Sequence, residues 1–208
     1  MRATIGAGSV LILGCGLAAC GGGSSPAAPS TSLSALGRLA IAQQIVTTAL
    51  GGVVTGSAVK KSEGVPLGNL SCQKTCTGAS CAVTCPIDES LSCPAGGSAT
   101  DKGQIAGTLD GELSGEAALA ATQGYAACKP NAGLTIDGAP ATTATGNARF
   151  VKGQLADEQT VRIAGAVSYA STTEGSGRCD VDIRVTFNRA LKGSANGTAC
   201  GQSVDVAF

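Results

Sequence analysis

Ten cysteines and no histidine limit the chemistry open to this chain. Histidine is the usual general base near neutral pH and a common metal ligand. Its absence removes Ser-His-Asp and Cys-His catalysis and His-ligated zinc. Five cysteines crowd into one stretch, spaced Cys72-x3-Cys76-x4-Cys81-x3-Cys85-x7-Cys93. Zinc sites generally show C-x2-C knuckles, and iron–sulfur runs have close spacings of their own; neither pattern is present. No C-x-x-C occurs, so dithiol redox chemistry has no motif to rest on. With Cys128, Cys179 and Cys200 these five make eight disulfide candidates. Five is odd, so at least one of the cluster must reach Cys128, Cys179 or Cys200. Eight cysteines allow 105 connectivities, and spacing does not choose among them. No metal and no cofactor is expected.

The carboxylates are scattered. Asp180 and Asp182 share a strand face, as a glycosidase pair could, but Arg184 follows on that face and marks it as solvated and partly neutralised. Asp101, Asp137, Asp157, Glu158, Glu174 and Asp205 form no pattern. Asp110-Gly-Glu112 with Glu116 matches no calcium-loop signature and is expected to be a turn with surface acids. There is no Gly-x-Ser-x-Gly elbow and no P-loop. Asn196-Gly-Thr has the form of a glycosylation sequon but falls within an expected strand. No catalytic residue is assigned.

The elements that would position these groups are mostly strands. Cys179, Val181, Ile183, Val185 and Phe187 alternate with Asp180, Asp182, Arg184, Thr186 and Asn188, which gives one apolar and one wet face. Val161, Ile163, Gly165, Val167 and Tyr169 repeat the rhythm. Pairing Tyr169 with Cys179 and Val161 with Phe187 sets apolar against apolar, with Glu174-Gly-Ser-Gly177 as the turn. Strands are expected over 98–110, 115–127, 133–138, 141–151, 160–170, 179–188 and 194–207, separated by turn signals such as Asp110-Gly111 and Lys192-Gly193. In the last strand, Gly193, Ala195, Gly197 and Ala199 can oppose Phe187, Val185, Ile183 and Val181. Small residues opposite large ones leave room for another layer. That register points Cys179 and Cys200 to opposite faces, so a bridge between them needs a bulge near Gly201.

Residues 33–50 have helical periodicity, with Ser32 or Ser34 as cap and Gly51-Gly52 as stop. Leu36, Leu39, Val46, Leu50 and Val53 form the apolar stripe, Ile41 and Ile45 lie off it, and Gln43 and Gln44 are the polar exception. This helix is expected to cover the buried face of the sheet. An interfacial membrane helix is the alternative, but Arg38 is its single cation, whereas such helices are usually Lys/Arg-rich. Lys60-Lys61-Ser-Glu-Gly64 is expected to be a solvated loop. Aromatics are 2% of residues, so the core is thin and rich in Ala and Gly; thin cores are often stapled by disulfides. The formal net charge is zero, which argues against a nucleic-acid partner.

The N-terminus is an address. Arg2 precedes a short, Gly-interrupted apolar run from Ile5 to Leu17, as in a signal peptide rather than a spanning helix. It ends in Leu17-Ala18-Ala19-Cys20, which resembles the lipobox of bacterial lipoproteins. The resemblance covers only this segment. It implies cleavage after residue 19 and a diacylglyceryl group on Cys20. In that family Asp after the cysteine retains the protein in the inner membrane; here Gly21 follows, which implies the outer membrane. Ile12-Leu13-Gly14-Cys15 is a weaker match. Cleavage at Cys20 leaves eight other cysteines, an even number suited to pairing in an oxidising compartment, whereas Cys15 would leave nine.

The expected organisation is a signal peptide over 1–19, a flexible tether over 20–31 and one domain over 32–208. Within it, 32–54 is helical, 66–96 is Cys-rich, and 97–208 is an antiparallel meander sheet. The fold class is mainly β: a curved or partly closed sheet packed on one N-terminal helix and rich in disulfides. The expected function is a non-enzymatic cell-envelope lipoprotein with a structural or interaction role, held to the membrane by its anchor. The alternative is a carrier of a lipid or another apolar ligand, by analogy with half-barrel outer-membrane lipoprotein receptors. A filled, cavity-free interior would exclude the carrier.

Overall fold

The computed structural model describes residues 33–54, 72–156, 158–190 and 192–208. The expected signal peptide, Cys20, the tether and the Lys60-Lys61 loop lie outside the described residues.

Helix α1 spans Ala35–Val54. Ser34 caps it, its Oγ accepting from the Gly37 N–H at 3.1 Å, while the Ser34 N–H donates to the Glu174 carboxylate at 3.0 Å. The second bond ties the helix start to a sheet turn far along the chain. Gly51-Gly52 does not stop the helix, which runs on to Val54. Its buried stripe also differs from expectation. Ile41, Ala42, Ile45, Val46 and Ala49 are buried, and Leu36 is 79% exposed. The sheet, not the helix's own pattern, selects the face: α1 is apolar on most of its circumference, and the strands cover the side with Ile41 and Ile45.

The strands are β1 (Gln73–Thr77), β2 (Ser80–Ser92), β3 (Ser98–Asp110), β4 (Gly115–Asn131) and β5 (Leu134–Val151), then β6 (Gln154–Leu155), β7 (Gln159–Ser171), β8 (Gly175–Phe187), β9 (Gly193–Ala199) and β10 (Gln202–Ala207). They form one antiparallel sheet in the order β1-β2-β3-β4-β5-β7-β8-β9-β10, with β6 paired to β5. Among the described residues β1 and β10 do not pair, so the sheet is not closed. The mainly-β meander with one covering helix is therefore present. Of the Cys-rich stretch, residues 73–92 form the first hairpin of the sheet. Residues 133–138 and 141–151 belong to one strand, irregular between Asp137 and Thr142, where Ala139-Pro140-Ala141 bulges from both neighbouring ladders. The expected strand 194–207 is two strands.

The central hairpin keeps its facing but not its exact register. Val161 opposes Val185, Ile163 opposes Ile183 and Val167 opposes Cys179, a shift of two residues from the expected pairing. A two-residue shift preserves which side each residue faces, so the apolar alternation alone does not exclude it. The turn decides: Ser171 Oγ accepts from the Thr173 and Glu174 N–H groups, so the chain reverses over 172–174 and Gly175–Gly177 join the strand. The β8–β9 register matches expectation, with Phe187, Val185, Ile183 and Val181 opposite Gly193, Ala195, Gly197 and Ala199. A Cβ on Gly197 would sit 2.1 Å from the Asp182 carbonyl oxygen, so glycine is required for that close approach. The room this leaves is filled as expected, for α1 touches β2, β3, β4, β5, β8, β9 and β10.

Candidate functional site

The eight described cysteines close into four disulfides: Cys72–Cys85, Cys76–Cys81, Cys93–Cys128 and Cys179–Cys200. Cys76 and Cys81 are direct cross-strand partners, and Cys72 and Cys85 lie one step beyond the last pair of that ladder, Gln73 and Thr84. Cys93 is the member of the cluster that reaches outside it, bridging past β3 to β4. The Cys179–Cys200 bridge forms without a bulge. Cys200 and Gly201 both take left-handed backbone angles, φ +52° and +75°, so the chain turns there and Cys200 leaves the strand alternation. The Cys200 N–H donates to the Asp180 carbonyl at 2.8 Å, which holds the corner beside Cys179.

The acidic residues on the outer face are solvated, as expected. Arg162 grips Asp182 with two bonds of 2.8 Å, and Arg178 meets Asp180 at 3.0 Å, all on exposed side chains. An open depression of about 470 Å³ beside them is lined by Arg149, Arg162, Arg184, Glu116 and Glu158. Glu116 is the direct neighbour of Arg149 across the ladder, so charges of both signs alternate there. Asp110 terminates β3 with its carboxylate accepting from the Glu112 and Ser114 N–H groups at 2.9 and 2.8 Å. Among the described residues no three His, Cys, Asp or Glu side chains are placed to hold a metal ion.

Two features single out the region where α1 meets the sheet. The first is a row of polar side chains on the inward, otherwise apolar face. The ladder sets Glu89, Asp101, Gln123 and Thr142 side by side on β2, β3, β4 and β5. Gln123 is the hub. Its Oε1 accepts from Thr142 Oγ1 at 2.5 Å and Tyr125 Oη at 3.3 Å, and its Nε2 donates to the Ile45 carbonyl of α1 at 3.4 Å. On the helix, Thr48 Oγ1 donates to the Gln44 carbonyl at 2.9 Å. Asp101 is 1% exposed, and among the described residues its Oδ1 has no hydrogen-bond partner. Burial, and then the nearby Glu89, push its carboxyl up to about 7. Burial likewise pushes the Tyr125 hydroxyl up. In the sequence Asp101 is one of several scattered carboxylates that form no pattern. The missed signal is its parity: Asp101 shares the inward set of β3 with Ala99, Ile105 and Leu109.

The second feature is a cleft of about 650 Å³ along the outer side of α1. Ala40, Gln43, Gln44, Thr47 and Leu50 line it at helical spacing. The end of β2, Pro94 and Pro130 form one wall, and Val206, Ala207 and Phe208 form the other. It thus lies between the first long strand of the sheet and its last strand. The interior farther from the helix is filled, narrowing to a void of about 20 Å³ among Ile105, Leu119, Leu155, Val161 and Phe187. The helix itself takes the space that an open half-barrel would leave for a ligand, and the cleft is what remains beside it.

Comparison with known proteins finds no matching family model, curated protein or solved structure.

Proposed function

We propose that this chain is a non-enzymatic lipoprotein of the bacterial cell envelope, anchored through a lipid on Cys20 and exposed to an oxidising compartment. The observation that carries this reading is the complete pairing of the eight described cysteines, which a reducing cytosol would not maintain. The lipobox resemblance of Leu17-Ala18-Ala19-Cys20 supplies the anchor, and Gly21 favours the outer membrane. The domain then acts as a disulfide-stapled structural or interaction module held off the bilayer by residues 20–31. Lipid labelling and membrane fractionation of the expressed chain test it. The parent incorporates labelled fatty acid and sediments with outer membrane, and Cys20→Ala loses the label and becomes periplasmic. A parent chain that takes up no label, or a Cys20→Ala variant that still does, would reject the anchor at Cys20.

A second reading, binding of an apolar ligand, is favoured by one observation: among the described residues the cleft beside α1 has mostly aliphatic walls and no charged side chain. Its size falls among those of small-molecule sites.

A further inference from the structure

We propose that the cleft between α1, the end of β2 and the C-terminal strand binds one long acyl chain of a lipid, whose polar head stays in water beside Gln43. This rests on the apolar-ligand reading and names the ligand class for it. Among the described residues no Asp, Glu, Lys or Arg lines the cleft, so a charged group placed inside would lose its hydration with no countercharge from them. The ligand's buried part is therefore uncharged. Among the described lining residues Phe208 is the one aromatic; the rest of the apolar wall is aliphatic, from Val46, Leu50, Leu91, Pro130 and Val206. A flat ring system would find no facing pair of rings to stack between, whereas a flexible hydrocarbon chain needs only aliphatic contact. Gln43 and Thr47 are exposed while Gln44 is buried, so the amide and hydroxyl at the solvent boundary can meet a head group.

An extended peptide is the competing occupant, because β2 beyond its pairing with β1 and the outer side of β10 are sheet edges among the described residues. The β2 edge is blunted. Pro86 removes an N–H donor from it, and Asp88, bridged to Lys102 at 3.2 Å, adds charge. An acyl chain asks nothing of backbone donors and suits the cleft better.

The test uses the full chain carrying Cys20→Ser, purified without detergent and stripped of lipid, with intact disulfides checked by mass. Palmitic acid and pyrene are the two probes. Palmitic acid is expected to bind one-to-one. Thr47→Trp, which fills the cleft from an exposed helix position, is expected to weaken binding by about tenfold or more. Thr47→Glu, which adds a charge at the same place, should act alike, and Leu36→Ser, away from the cleft, should bind like the parent. Palmitic acid binding that ignores both Thr47 substitutions would overturn the site. Binding of pyrene but not palmitic acid, lost in Thr47→Trp, would overturn the acyl assignment and leave the apolar-ligand reading standing. Failure of both probes would remove both.

Discussion

Asp101 is buried against its chemical preference. An ordinary aspartate ionises near 3.8, and in the fold this carboxyl does so at about 7, chiefly because burial penalises the charge. Between those values the folded state holds a proton that the unfolded chain has released. Stability contributed by this group is therefore fully present below about pH 4, falls as pH rises through the window, and is level above about 7. Asp101→Asn keeps the shape and removes the charge. At pH 8 it should stabilise the domain by about 2–4 kcal/mol in denaturant titrations with disulfides intact, and by much less at pH 4. Equal effects at both pH values would mean that the carboxyl is not the titrating group. The neighbouring Gln123–Thr142–Tyr125 bonds leave this acid aside, since Gln123 already uses its amide on the helix and on β4 and β5.

At the scale of elements, helix and disulfides do different work. The helix adheres through Ile41 and Ile45, both fully buried. Ile45→Ala should cost about 2–5 kcal/mol by lost transfer and cavity formation, and Leu36→Ala under about 0.5 kcal/mol. Equal losses in a thermal or chemical melt would restore the stripe that the periodicity suggests. Among the bridges, Cys93–Cys128 closes a loop of 35 residues and Cys76–Cys81 one of 5. Chain entropy then makes removal of the longer bridge costlier by about 1–2 kcal/mol, if both cysteines of each pair are replaced by alanine. Denaturation midpoints of the two double variants check the order, and a larger loss from the short hairpin bridge would count against the loop-entropy account. Strand bounds were well legible where alternation was clean: 98–110 is β3 as expected. The first hairpin was not, because Cys, Thr and Lys in Gln73–Thr77 carry no apolar alternation, and all five residues are exposed.

For the whole molecule, fold and surface divide the labour. Among the described residues one antiparallel sheet packs on one helix, the outer face carries neutralised charge pairs, and the helix–sheet seam gathers a buried polar row and an apolar cleft. None of the latter was visible as a motif. Gln44 lines the cleft and Asp101 belongs to the row, yet they come from distant parts of the chain, and only packing of α1 across the sheet brings their elements together.

The amino-acid sequence by itself determined the mainly-β class, the inward and outward faces of the long strands, the β8–β9 register and the presence of one covering helix. These follow from local periodicity and from small residues opposite large ones, which are properties of neighbours in the chain or across one ladder. Tertiary structure alone decided the cysteine partners, the two-residue offset of the central hairpin, the helix face that is buried and the placing of Asp101 inside the core. Each is a choice among alternatives of equal local pattern, such as 105 pairings, two registers of the same parity or two stripes on one apolar helix. It is settled when turns, glycine contacts and the rest of the sheet admit only one of them.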